Sequence, residues 1–153
     1  MWIPPETVDP VVLQAATRKS VGIYGAVCLR TGQLVTRQEP KFNAETFGAF
    51  LDQLLCHWRR GHMMMVALDN ARWHHAVLLH DWLEQQRHRL QLDFLPSYSP
   101  QLNPAERVWK LTRRLCTHNR YFSALSELLD SVSERFALWD KPNETLRQLC
   151  AII

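Results

Sequence analysis

Two spacings of apolar residues take turns along this chain, and their order predicts its elements. Residues 20–29 and 33–38 are rich in Val, Ile and Tyr and flank Arg30-Thr31-Gly32, with Gly where a tight turn needs a left-handed residue, so an antiparallel hairpin is expected. Beyond Asn43, a good N-cap, Phe47, Phe50, Leu51, Leu54, Leu55 and Trp58 recur at three- and four-residue steps. This stripe predicts a core-facing helix of about four turns that closes at Gly61. Residues 63–68 are continuously apolar, which fits a strand buried on both faces of a parallel or mixed sheet. Residues 74–88 predict a second helix, with Leu79, Trp82 and Leu83 inward. Leu90, Leu92 and Phe94 then alternate with polar neighbours, as a half-buried strand over 90–95 does. Three more helices follow, over 103–117, over 123–137 with Ser123 as cap, and over 143–151 after Pro142. Residues 1–18 hold three prolines and, apart from Val11, Val12 and Leu13, little periodicity, and read as an extended lead-in. The order hairpin, helix, strand, helix, strand, helix, helix, with a last short helix at the end, predicts an α/β layer architecture around a small mixed sheet.

The chain turns most sharply at residues 92–109, where strand, rigid loop and helix succeed one another. Pro96 ends the strand because it has no N–H to donate, and Pro100 and Pro104 stiffen the loop leading to the helix. Asn103 suits the N-cap, Pro104 the first helical position, and Glu106 the third, the pattern of a reciprocal capping pair. Glu106 is therefore either a cap or a carboxylate held ready on a helix whose approach is fixed. Asp69 ends the apolar 63–68 run, a costly place for a charge unless something positive neutralises it. It either caps the following turn or joins Glu106 in holding Mg²⁺ or Mn²⁺, ions that favour oxygen donors.

Composition narrows the class. At 153 residues and 46% hydrophobic, with six Trp, the chain is expected to form one domain with one sizeable core. It shows neither a membrane-length apolar run nor a signal-peptide pattern, and a cytoplasmic protein is expected. Cys28, Cys56, Cys116 and Cys150 lie far apart and suggest reduced thiols, not a zinc knuckle or a disulfide framework. Net charge is only +3, yet 14 of the 18 basic residues are Arg, whose fork suits phosphate. Arg107, Lys110, Arg113 and Arg114 lie on the helix after Glu106, with Arg120 beyond, and Glu106 is the only acid between residues 94 and 126. With Val108, Leu111 and Leu115 facing the core, these cations are either an ordinary solvated face or a surface that tracks DNA phosphates. Among the histidines only His74 and His75 adjoin the Asp69 turn. The other five show no shared ligand spacing.

Leu68-Asp69-Asn70-Ala71 with His74 five residues after the Asp, then Phe94-Leu95-Pro96, Tyr98-Ser99-Pro100, Leu102-Asn103-Pro104, Glu106 and Trp109, closely resemble the DDE transposases of bacterial insertion sequences in the mariner-like superfamily. Gly25-Ala26, Thr31-Gly32 and the Phe47, Phe50, Leu51 helix extend the likeness over most of the chain, and 36 residues separate Asp69 from Glu106, a spacing similar to the family's. The resemblance implies a ribonuclease H-like mixed sheet flanked by helices, and two-metal hydrolysis and strand transfer of DNA phosphodiesters. Asp69 and Glu106 would be the second and third acidic ligands of Mg²⁺ or Mn²⁺. Asn70, His74, Tyr98, Ser99 and Asn103 would support the site, and Arg107, Lys110, Arg113 and Arg114 would bind DNA.

The sequence departs from this pattern at the first Asp, which the family carries on a central strand upstream of the hairpin. Asp9, in its Pro-rich setting, does not replace it. Residues 1–153 are thus expected to be a single partial catalytic domain whose first central strand is missing and is supplied by residues 10–16, by another polypeptide or by a second copy in a homodimer. Alone, the chain is expected to cut DNA little or not at all. The rival expectation is a non-catalytic transposase remnant acting as a DNA-binding or protein-interaction module.

Overall fold

A computed structural model describes residues 20–97 and 99–151. Val11–Leu13, Asp9, the 10–16 segment and Tyr98 lie outside the described residues. β1 (Gly22–Val27) and β2 (Leu34–Glu39) pair antiparallel, Val27 facing Leu34. In the turn between them the Cys28 carbonyl accepts the N–H groups of Thr31 and Gly32, and Gly32 takes the expected positive φ, +71°.

α1 (Ala44–Leu55) begins at Asn43, whose Oδ1 accepts the Thr46 N–H at 2.8 Å while its own N–H donates to the Thr46 hydroxyl at 3.1 Å. This reciprocal pair satisfies two donors that the first turn would otherwise orphan. The helix stops at Leu55 and does not run on to Gly61. The N–H groups of Cys56, His57 and Trp58 reach carbonyls three residues back, so the last turn tightens and closes.

β3 (Met64–Leu68) pairs parallel with β4 (Leu90–Phe94). Between them the expected 74–88 helix is broken into two 3₁₀ turns, Arg72–His75 and Val77–Leu79, followed by α2 (His80–Gln86). His74 is tied back to Asp69 while Leu79 is drawn into the core, and extended backbone at Ala76 separates the two.

The two strand pairs form separate sheets among the described residues. α1 spans both: Phe47, Phe50, Leu51, Leu54 and Leu55 share one core with Tyr24 and Val35 of the hairpin and with Leu68, Leu79 and Leu90. The opposite face of the hairpin packs on α3 (Pro104–Thr112), α4 (Leu125–Trp139) and α5 (Glu144–Leu149), where Leu34, Ile23 and Val27 meet Val108, Val132, Phe136, Trp139 and Leu146. The hairpin is therefore the middle of three layers.

β3 departs from the expectation of burial on both faces. Met64, Val66 and Leu68 turn toward α1, whereas Met65 is 63% exposed and Ala67 is also open. Among the described residues the second helical layer lies over the hairpin and leaves this side of β3 uncovered. A second difference follows α3, where residues Arg113–Thr117 are wound as a π-helix and the His118 N–H reaches back five residues to Arg113 at 2.8 Å. The wider turn brings Cys116 into the core and leaves Leu115, expected inside, 37% exposed. α4 is capped at Ala124, because Ser123 gives both its N–H and its hydroxyl to the Glu127 carboxylate. No helix among the described residues is long and apolar enough to cross a membrane.

Candidate active site

Parallel pairing sets the C-terminal ends of β3 and β4 at one edge, with Asp69 just past the first and the proline-rich loop just past the second. The two exits are stitched together. The Leu95 N–H donates to the Leu68 carbonyl at 2.9 Å, and the Asn70 side-chain amide donates to the Leu95 carbonyl.

Asp69 is held by its own turn. Its Oδ1 accepts the Ala71 N–H at 3.2 Å and lies 3.1 Å from His74 Nδ1, which is also 3.0 Å from the Asp69 carbonyl. Both neighbours of Nδ1 are acceptors, so that nitrogen is assigned the proton. The His74 side chain is only 10% exposed, with Phe47 4.3 Å away ring to ring and Trp73 edge-on. Burial pushes its pKa below the ordinary histidine value, against the opposing pull of the Asp69 carbonyl and carboxylate; His75 pushes it further down. The contact is thus an oriented hydrogen bond from a neutral imidazole, although its distance would also suit an ion pair. The Asp69 side chain remains 69% exposed, and its Oδ2 has no hydrogen bond among the described residues.

His75 completes the turn. Its Nε2 lies 3.3 Å from Asn70 Oδ1 and its ring stacks 4.2 Å from Phe94, so Asn70 is held from both sides. The adjacent His pair was the only sequence signal for this role.

Glu106 stands on the first turn of α3. Asn103 Oδ1 accepts the Ala105 N–H at 3.0 Å, but the Asn103 N–H goes to the Pro100 carbonyl, closing the Pro100–Leu102 3₁₀ turn. The reciprocal half of the expected capping pair is therefore not formed, and Glu106 is exposed with its carboxylate unengaged among the described residues. Ser99 donates to the Ser97 carbonyl at 3.3 Å. One turn beyond Glu106, Trp109 presses the Cη2–Cζ2 end of its indole against Gly25 of β1 and lies edge-on to Phe136, which fixes the seat of α3 on the hairpin.

Asp69, Asn70, His74 and His75 are thus one connected group, while Glu106 sits on a separate support at the far end of the 95–103 loop. No side-chain hydrogen bond joins Asp69 to Glu106 among the described residues. Nor do three or more His, Cys, Asp or Glu gather there in a way that could hold a metal ion. Two exposed carboxylates suit Mg²⁺ or Mn²⁺ in their chemistry but supply only part of a ligand set. Of the basic residues, Arg107 donates to the Leu149 and Ala151 carbonyls at 3.1 and 2.9 Å, closing the end of α5, whereas Lys110, Arg113 and Arg114 are exposed.

A family model described as DDE superfamily endonuclease matches residues 1–129. The chain is 31% identical over 119 residues to the uncharacterized protein y4pE/y4sA of Sinorhizobium fredii (strain NBRC 101917 / NGR234), covering 78% of this chain and 82% of that one. It is 26% identical over 110 residues to the insertion element IS630 uncharacterized 39 kDa protein of Shigella sonnei, covering 72% of this chain. The match spans about a third, 32%, of that relative's length.

Proposed function

The chain belongs to the DDE superfamily endonuclease family, and on that premise we propose that it is the catalytic-domain portion of a DNA transposase, cleaving and rejoining DNA phosphodiesters with Mg²⁺ or Mn²⁺ held by Asp69 and Glu106. The observation that carries this reading is the state of Asp69: a solvent-open carboxylate at a strand end, aimed by one largely enclosed neutral histidine and one backbone N–H, with an oxygen to spare. A carboxylate serving only as a turn cap does not need a histidine sequestered to orient it. Glu106, released from the capping pair, is free for the same work.

In this reading His74 donates to Asp69 and holds its orientation, Asn70 keeps the turn against the 95–103 loop, and Trp109 on Gly25 keeps Glu106 where α3 presents it. Ser99 and Asn103 shape the loop between the two acids. Lys110, Arg113 and Arg114 lie along the phosphate backbone. When bound, the ions lower the pKa of the attacking hydroxyl or water and neutralise charge on the leaving oxygen. The remaining acidic ligand comes from outside the described residues, on another polypeptide. The two strand pairs would then be parts of one ribonuclease H-like sheet, joined by the strand that carries that ligand.

The test is metal-dependent cleavage of transposon-end DNA by the chain mixed with a polypeptide carrying the remaining strand and Asp. Asp69→Asn and Glu106→Gln should each lower the rate on the order of 10²-fold or more, and the chain alone should cut little in Mg²⁺. Full cleavage by the Asp69→Asn mixture refutes the assignment. DNA or protein binding that survives with no cleavage in any mixture favours the non-catalytic module instead.

A further inference from the structure

At the edge of the β3/β4 pair opposite Asp69, both strands begin, and the two segments that lead into them are rich in arginine. One is His57-Trp58-Arg59-Arg60-Gly61-His62, the other Arg87-His88-Arg89, and no Asp or Glu occurs between Asp52 and Asp69. The fold brings them together. The Met64 N–H donates to the Arg89 carbonyl at 2.8 Å, and the Arg89 guanidinium lies 4.6 Å over the Trp58 ring. The Trp58 indole N–H in turn donates to the His62 carbonyl at 2.6 Å, bracing the first segment from below.

Above that brace, Arg59 to His62 form a β-turn closed by the His62 N–H on the Arg59 carbonyl at 3.1 Å. Gly61, at φ +79° with open space around it, takes the left-handed position, so Arg59 and Arg60 are displayed at an exposed tip. Arg87 and His88 are exposed beside them, and Arg87 has one acidic partner, Glu84. The result is a positive surface of guanidinium and imidazole groups, carried on the two turns that lead into β3 and β4.

We propose that this edge is a second, metal-independent phosphate-binding site for duplex DNA, distinct from the face of Lys110, Arg113 and Arg114. The proposal rests on the DNA reading above and adds where a neighbouring part of the duplex lies. β3 is five residues long, so the two edges are about 15 Å apart, less than half a helical turn of DNA. One duplex laid along the strands reaches both. Arginine suits the task because its fork contacts phosphate oxygens in pairs, and the Arg89–Trp58 stack holds the two turns side by side.

The experiment is fluorescence anisotropy of the full chain with a duplex of about 30 base pairs, in EDTA, across a salt series. The triple variant Arg59→Gln, Arg60→Gln, Arg87→Gln should flatten the slope of log K against log salt by about 2.7, which shrinks the affinity lost between 50 and 200 mM salt by about 40-fold. Photo-crosslinking of the unaltered chain to the same duplex should label residues 57–62 and 87–89, a readout that needs no variant to fold. An unchanged slope or crosslinks confined to other peptides overturns the proposal, as does a variant that loses only self-association, which would mark the edge as a contact between copies. The cleavage assay with Asp69→Asn is independent of these outcomes, so the failure of either assignment can be told from that of the other.

Discussion

Gly25→Ala tests how α3 is seated, and through it the position of Glu106. A Cβ at residue 25 would lie 2.5 Å from Trp109 Cη2 and 2.6 Å from Cζ2, about 1 Å inside ordinary carbon contact. The indole has no easy retreat, since it belongs to the core formed with Phe136, Val132 and Val108 and packs edge-on against Phe136 at 6.0 Å. Overpacking of this kind typically costs about 1–3 kcal/mol, which for a chain of this size lowers Tm by roughly 3–10 °C. The assay is urea unfolding followed by tryptophan fluorescence and circular dichroism, run as a cycle with Trp109→Leu. Trp109→Leu alone loses packing, but in the Gly25→Ala background it also removes the clash, so the double variant should be more stable than the sum of the singles by about 1 kcal/mol or more. Because Trp109 is one helical turn from Glu106, Gly25→Ala should also slow cleavage in the complemented assay. A Gly25→Ala chain as stable as the parent, with strictly additive doubles, would refute the proposed seating.

Gly32→Ala should be the more damaging glycine change, because φ is +71° and the new Cβ would strike the Asn143 carbonyl and come 2.6 Å from the Arg147 nitrogen, backbone atoms with little freedom. A loss of roughly 3 kcal/mol or more in urea unfolding is expected. Arg113→Gln with Arg114→Gln should flatten the salt dependence of DNA binding by about 2, independently of the triple variant at the other edge, and an unchanged slope would remove that face from the DNA path. Glu144, which accepts from Arg147 and Gln148, has its pKa lowered to about 2. Since its folded pKa lies below the ordinary value, the support it gives α5 is complete above pH about 4.5 and is lost as pH falls toward 2. Carboxyl chemical shifts titrating near the ordinary glutamate value would contradict this.

The sequence by itself determined what depends on neighbours within a few residues. Turn chemistry located the hairpin through Gly32, and the three-and-four spacing of Phe47, Phe50, Leu51, Leu54 and Leu55 located the core face of α1. Asn43 and Asn103 marked true helix starts, and the proline-spaced run up to Glu106 was enough to indicate the family. Periodicity and capping are local, so they survive translation into a string of letters. What only the tertiary structure decided depends on groups distant along the chain. The uncovered side of β3, the break at Ala76 and the outward turn of Leu115 reflect which layer lies over which strand and where the backbone found its partners. The same holds for the site. His74 was suggested by sequence, but its burial against Phe47, Asn70's bond to the Leu95 carbonyl and Arg107's hold on the end of α5 bring together residues 25 to 44 positions apart, and hydrophobic patterning carries no record of such hydrogen bonds and ring contacts.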